Sequence, residues 1–405
     1  MVVPRVCMGE GFVMADILER ARSLEERVRG WRRHIHAHPE LGMETGETAA
    51  FVERVLAEIG VGNVRRCAET GVVALIEGRP GNRCVGLRAD MDALPVEERN
   101  ELPFRSTVPG RAHVCGHDIH TACLLGAAEL LQGMRDSFSG TVKLIFQPGE
   151  EGPDGAAEMI ADGVLEGPGM DAVFALHVWP DLPAGTVGIR RGAVLAGAQS
   201  IRIRIAGRQG HAAHPHRCVD PILIAGHIVC ALQSVVSREL SPLETGVLTL
   251  GQIHGGTAGN IIPEEVVIDG TVRALSKDVG ARILESARRI VEGTAAALRG
   301  RAVLEAPIGL PPVVNDDALF DRMTGVFTEL FGTGSVRTLL EPSMGGEDFA
   351  LFLEHVPGAH FRLGVGAEGR PAYPLHSPDF CADESGFSLG VAGLAALALD
   401  VLEGR

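Results

Sequence analysis

The chain has 405 residues, 45% of them apolar and 22% charged, with a formal net charge of −15. That length exceeds what one hydrophobic core usually supports, so two domains are expected. The acidic balance argues against nucleic acid or an anionic membrane surface as a partner, because both demand a basic footprint.

No run approaches the roughly 20 uninterrupted apolar residues that a membrane-spanning helix needs. Met1–Arg22 has no apolar stretch followed by a small-residue cleavage site, so it does not read as a secretion signal. The eight cysteines (Cys7, Cys67, Cys84, Cys115, Cys123, Cys218, Cys230, Cys381) stand singly without framework spacing. In a chain of this length they are expected to be free thiols in a reducing, cytoplasmic setting.

Along the chain, apolar positions recur at helical spacing from Ile17 to Ile35, and "HPELG" at His38–Gly42 supplies the Pro and Gly that end the pattern. The basic run Val28–His38 within it reads as a solvated helix face rather than a phosphate binder. A second helix is expected over Glu47–Ile59. The period then changes. Gly71–Gly78, Cys84–Asp90, Thr141–Gln147 and Ala172–Val178 are short, β-branched-rich runs, and helical patterns at His120–Met134 and Gly155–Val164 separate several of them. Such alternation predicts an α/β layer with a mostly parallel, buried sheet.

Near Gly192 the texture shifts. Ser200–Gly207 alternates apolar with charged residues, as a half-exposed antiparallel strand does. A helix (about 220–236), two strands (about 247–253 and 265–273), a helix (about 279–298) and a strand near 302–304 follow. The order β-α-β-β-α-β predicts a ferredoxin-like α+β domain over 192–306. It interrupts an α/β domain made of 1–191 and 307–405.

Polar residues of interest fall at the strand ends, where open α/β sheets bind ligands. "RADMDALP" offers Asp90 and Asp92, "FQPGEEG" offers Glu150 and Glu151, and His177 closes its strand. Cys115 and His117 precede the helix near His120, and His376 lies in "PLHSPDF" far downstream. Adjacent acids after a strand can divide labour, one binding a metal while the other takes a proton from water. Cys and His are good ligands for zinc and similar ions. Read alone, "AHVCGHDIHTA" (Ala112–Ala122) is open to three readings: metal site, thiol nucleophile or polar loop.

Seven ordered motifs, "RADMDALP", "HVCGHDIHTA", "FQPGEEG", "GRQGHAAHPH", "GNIIPEE", "SMGGEDF" and "LHSPDF", make the chain from about Trp31 onward similar to a known family. It resembles the metal-dependent aminoacylase and carboxypeptidase family, in the branch of hippurate hydrolase and the auxin-conjugate amidohydrolases. The resemblance implies a homodimeric two-metal amidohydrolase that splits N-acyl amino acids into a carboxylic acid and an amino acid, with a metallo-carboxypeptidase or dipeptidase on short peptides as the alternative. It assigns Cys115, His117, Glu151, His177 and His376 to two divalent ions (Zn, Mn, Co or Ni), with the Cys115 sulfur able to bridge them. Glu150 matches the general base. Asp92 matches a carboxylate behind the ligands, although the family's usual His two positions earlier is here Asp90. His211 matches a histidine brought to the scissile carbonyl, often across a dimer interface, to stabilise the oxyanion. Asn260 and Arg273 resemble groups that hold the substrate carboxylate, and Gly345 and Gly346 could offer it backbone amides.

Three rival readings predict different behaviour. A cysteine hydrolase using Cys115 survives chelation. A zinc alcohol dehydrogenase lacks support, since no G-x-G-x-x-G follows a strand. A metal-binding scaffold takes up metal without hydrolysis.

Overall fold

The computed structural model describes residues 10–152, 155–369 and 372–404; Cys7 lies outside them. In chain order the main elements are α1 (Glu10–Ser23), α2 (Glu25–Ala37), α3 (Gly46–Glu58), β1 (Arg65–Cys67), β2 (Gly71–Glu77), β3 (Arg79–Asp90), α4 (His117–Gly133), β4 (Ser139–Gln147), α5 (Gly155–Ala161), β5 (Ala172–Pro183) and β6 (Val187–Ile189). They continue with β7 (Gly197–Ala206), α6 (Pro221–Ser234), β8 (Gly246–Gly255), β9 (Glu265–Ala274), α7 (Lys277–Ala297), β10 (Arg301–Glu305), α8 (Asp317–Phe331), β11 (Val336–Thr338), β12 (Gly358–Gly366) and α9 (Phe387–Glu403). The chain divides into two compact units. The first takes in the described residues up to Gly192, Val314–Glu341 and the described residues from Leu351; the second is Ala193–Val313 with Pro342–Ala350.

The first unit is built on an eight-stranded sheet in the order β1-β2-β4-β3-β5-β12-β6-β11. Its centre, β4-β3-β5-β12, is parallel, as is the β6-β11 pair. The β1-β2, β2-β4 and β6-β12 pairs run antiparallel. β2, β4 and β5 are buried along most of their length, which is why they read as near-continuous apolar runs rather than alternating ones. The parallel strands end together, and Asp90, Gln147 and His177 therefore lie along one edge.

The pattern over Ile17–Ile35 forms two helices rather than one, broken at Leu24. The basic run within it is not wholly solvated. Arg32 and His36 are buried, because i, i+4 spacing puts them on the stripe that also buries Val28, Trp31 and Ile35. They are held there by Asp118 and Glu98 rather than by solvent.

Two stretches, Pro221–Glu239 and Glu384–Glu403, are long and apolar enough to cross a membrane by length and composition. Most of the second is buried, and its Leu394 and Leu397 belong to the core of the first unit. The first buries Ile224, Ile228 and Leu232 in the core of the second unit.

The second unit carries a four-stranded antiparallel sheet in the order β8-β9-β7-β10. β7 alternates strictly, with Ile201, Ile203 and Ile205 buried and Arg202 and Arg204 exposed. The buried side packs on α6 and α7, whose starts are capped by Asp220 and Ser276 accepting backbone N–H bonds. Beyond the Ala206 end of β7, Gly210–His211 pairs with Ile261–Ile262 in a short ribbon.

Candidate metal centre

The site in the first unit is assembled at the carboxyl ends of β3, β4 and β5. After β3 the chain passes Asp92, whose two carboxylate oxygens accept the N–H groups of Glu150 and Glu151, each at 3.0 Å. One side chain thus fixes the backbone that carries both glutamates. Cys115 and His117 flank Gly116, which starts α4 at φ +88°. A Cβ at Gly116 would lie 2.3 Å from Val178 Cγ2. Only glycine lets this turn approach β5 so closely.

The approach places Cys115 Sγ 3.4 Å from His177 Nε2. His117 donates from Nδ1 to the Asp92 carbonyl at 2.8 Å, and His177 does the same to the Val178 carbonyl at 2.8 Å. Both rings therefore turn Nε2 toward the site, and His117 Nε2 is buried without a hydrogen-bond partner. That nitrogen lies 3.8 Å from Glu150 Oε2 and 4.0 Å from Glu151 Oε1. Glu151 Oε1 is in turn 3.1 Å from His376 Nε2. His376 has φ +67°, a rare conformation for a non-glycine residue, and its N–H is tied to the Val114 carbonyl at 2.9 Å. Three overlapping groups, Cys115–His117–His177, Cys115–Glu151–His376 and His117–Glu150–Glu151, each bring their ligand atoms within 4.8 Å of one another.

The electrostatics favour a cation in the middle. Burial opposes charge on His117, yet its acidic surroundings, Asp90 above all, outweigh it and raise its pKa well above the usual value. Burial keeps the His177 ring neutral, with its pKa well below the usual value. Burial opposes charge on Glu151 as well, but its bond to His376 and the charge of His117 hold it ionised below the usual range. Burial pushes the Cys115 thiol up, the opposite of what activates a thiolate nucleophile.

The donor set fits metal ions. It offers one sulfur, three imidazoles and one carboxylate, the types that hold zinc and its neighbours. The imidazoles of His117 and His177 are already oriented by backbone carbonyls in the manner of metal-bound histidines. A further group, Asp90–His117–His120, also gathers ligand atoms within 4.8 Å. Here both nitrogens of His120 are engaged, Nδ1 with Asp90 Oδ1 at 2.6 Å and Nε2 with the Val178 N–H at 2.9 Å. Nothing in the sequence singled out His120 beyond its place one turn after His117.

Residues 86–400 match peptidase family M20/M25/M40. The chain belongs to this family. It is 41% identical to the N-acetyl-L-cysteine deacetylase of Bacillus subtilis (strain 168), over 90% of this chain and 85% of that one. It is 40% identical to the IAA-amino acid hydrolase ILR1-like 4 of Arabidopsis thaliana, over 91% and 84% of the two chains. Among solved structures it superposes with a TM-score of 0.84 on the Bacillus subtilis YXEP protein, described as a dinuclear metal binding peptidase from the M20 family; they share 35% identity over 95% of this chain and 100% of that one. The present M20 member is a metal-dependent hydrolase.

The remaining expected site residues of this M20 hydrolase lie in the second unit. His211, exposed on the ribbon, pairs with Ile261, and the Asn260 carbonyl accepts the Ala212 N–H at 3.0 Å; His211 and Asn260 are therefore neighbours. Arg273 is not with them. It sits at the far end of β9, opposite Ala198, whereas Glu265 at the ribbon end lies opposite Ala206. Eight residues of strand separate those ends by roughly 26 Å. Arg273 bonds to the Thr271 hydroxyl and is half-buried. The Gly345 N–H is donated to Ser343 Oγ at 3.1 Å, and Gly346 is exposed.

Proposed function

We propose that this M20 hydrolase is a dinuclear amidohydrolase that cleaves the amide bond of N-acyl amino acids. The observation that carries the reading is the convergence of Cys115, His117, His177, Glu151 and His376 with the Nε2 atoms of His117 and His177 turned inward. These five residues would hold two divalent ions, of zinc, manganese, cobalt or nickel. When bound, the ions would polarise the amide carbonyl and make water more acidic.

The chain's own groups do the rest. Glu150 takes a proton from the attacking water and returns it to the leaving nitrogen. Asp92 keeps its carboxylate in reach by holding the Glu150–Glu151 backbone. His211 donates to the developing oxyanion, and Asn260 and Arg273 bind the substrate carboxylate. Gly345 spends its amide on Ser343, which leaves Gly346 as the backbone donor of that pair.

We read the second unit as a ferredoxin-like satellite domain inserted in the catalytic one, through which the chain forms a cytoplasmic homodimer. The antiparallel β8-β9-β7-β10 order supports the first part. The second is supported by β8, an edge strand whose Val247 and Ile253 are exposed, and by exposed Ile222 and Leu223 on α6. The separation of Arg273 from His211 and Asn260 adds to it. One acylated amino acid is far shorter than that distance, so the three groups meet at one substrate only if two copies contribute.

A metallo-carboxypeptidase or dipeptidase uses the same chemistry, and the description of the YXEP protein favours keeping it as a second reading. The test is metal analysis of purified protein followed by a panel of N-acyl amino acids and dipeptides. Two equivalents of metal, activity abolished by chelation, and loss of metal in Cys115→Ala and His376→Ala are expected. Full occupancy in both folded variants, or turnover that survives chelation, would overturn the assignment. A panel cleaved only as dipeptides favours the second reading.

A further inference from the structure

His120 takes no part in the reaction as drawn above, yet it is completely buried and makes two short bonds in opposite directions. On one side its Nδ1–H donates to Asp90 Oδ1 at 2.6 Å. Asp90 is fixed in turn: Arg88 Nη1 donates to its Oδ2 at 2.8 Å, and Thr121 Oγ1 donates to its carbonyl at 2.7 Å. Arg88 Nε is anchored on Gln147 Oε1 at 2.8 Å. On the other side, His120 Nε2 accepts the backbone N–H of Val178 at 2.9 Å. A ring nitrogen that accepts from a backbone amide carries no proton, so the ring's hydrogen is on Nδ1.

The register of the sheet shows why this bond is needed. The ladder between β3 and β5 ends at Arg88↔Ala175. Val178 lies beyond that last rung, while on its other side β5 is still paired with β12 at Leu363↔Val178; beyond the end of β3, His120 supplies the acceptor for the Val178 N–H. The other backbone group of Val178, its carbonyl, accepts the Nδ1–H of His177 at 2.8 Å. Val178 is therefore held at its N–H by His120 and orients His177 through its carbonyl.

We propose that Arg88, Asp90 and His120 form a positioning relay that fixes the Val178 backbone and thereby aims His177 Nε2 at the metal centre. The relay rests on the reading of His177 as a metal ligand. His120 is a positioning residue, acting on the ion only through Val178 and His177, and Asp90 serves as the relay's buried anchor. Groups behind metal ligands typically change metal affinity by about 10–100-fold when removed.

Two substitutions separate the bonds from the space the ring fills. His120→Phe keeps a planar ring but deletes both hydrogen bonds; His120→Gln keeps one donor and one acceptor. The full-length chain, stripped of metal, is titrated with Co(II) while its thiolate charge-transfer and d–d absorption bands are followed, with His177→Ala as reference. The expected result is that His120→Phe weakens one Co(II) equivalent by about 10–100-fold and alters its d–d band, that His177→Ala weakens the same equivalent, and that His120→Gln stays near wild type. A folded His120→Phe variant that titrates like wild type overturns the relay, as does a His120→Gln variant as impaired as His120→Phe. Nitrogen NMR of histidine-labelled, metal-free wild-type chain needs no variant to fold. His120 must show a protonated Nδ1 and a bare Nε2, and the reverse tautomer also overturns the relay. Failure of the wild-type chain to bind Co(II) would instead refute the metal-centre reading, while the NMR result would still report on the relay's hydrogen bonds.

Discussion

Glu150 and Glu151 are adjacent, their N–H groups share one acceptor residue, Asp92, and both carboxylates approach His117 Nε2, at 3.8 and 4.0 Å. Only Glu151 also reaches His376, at 3.1 Å. This difference in partners predicts separable losses. Glu150→Gln is expected to keep its metal and lose turnover by about 10²–10⁴-fold, the usual range for an acid–base group; Glu151→Gln is expected to lose metal. Metal analysis alongside turnover checks both, and the opposite pattern would mean that the two roles are exchanged. At this scale the sequence was informative about residue type. It marked His177 and both glutamates at strand ends and Cys115 and His117 ahead of a helix, and the family resemblance then assigned their roles. It was silent on His120 and placed Arg32 and His36 on a solvated face, because the meaning of all three lies in bonds to Asp90, Asp118 and Glu98, 30 to 86 residues away.

At the scale of elements, α2 is tied to the start of α4 by buried charge. Arg32 Nε donates to Asp118 Oδ2 at 2.7 Å, and His36 bridges Asp118 at 2.8 Å and Glu98 at 3.2 Å. Burial disfavours a charged His36 and Arg32 opposes it too, but Asp118 and Glu98 outweigh both and raise its pKa. A raised pKa in the folded state means that the contribution to stability is complete below the unfolded value of about 6.5 and is lost as pH rises through the folded value. Urea midpoints of metal-free chain measured from about pH 6 upward should therefore fall more steeply for wild type than for His36→Gln. Subtracting the two curves removes the parallel contribution of His117, and superimposable slopes would refute the idea. The network explains why the basic run could not be read correctly from sequence, since composition does not say which face of a helix is covered. Strand and helix positions were largely legible from hydrophobic period. Strand direction was not: β2 and β4 run antiparallel, and β1, β6 and β11 are three residues each, too short for any period to register.

At the scale of the whole molecule, the proposed reaction needs groups that one copy of the second unit holds apart. His211 and Asn260 occupy the ribbon beyond one end of the sheet, and Arg273 the other end of β9. In a symmetric dimer each site could then take Arg273 from one subunit and His211 from its partner. His211→Ala is expected to keep its fold and both metals but to lose about 10²–10³ in turnover, the usual effect of removing one oxyanion donor. Near-normal turnover would sink that role. Mixing His211→Ala with Glu150→Gln under subunit exchange distinguishes the two arrangements. If His211 crosses the interface, a heterodimer contains one site with both groups intact and one with neither, and an equal mixture should recover about a quarter of wild-type activity, because half the dimers are mixed and each has one working site. If His211 serves its own subunit, every site in the mixture lacks one of the two groups, and activity stays at the level of the separate variants. Inactive mixtures in which heterodimers are demonstrated by mass spectrometry would therefore retire the crossed arrangement while leaving the oxyanion role of His211 in place.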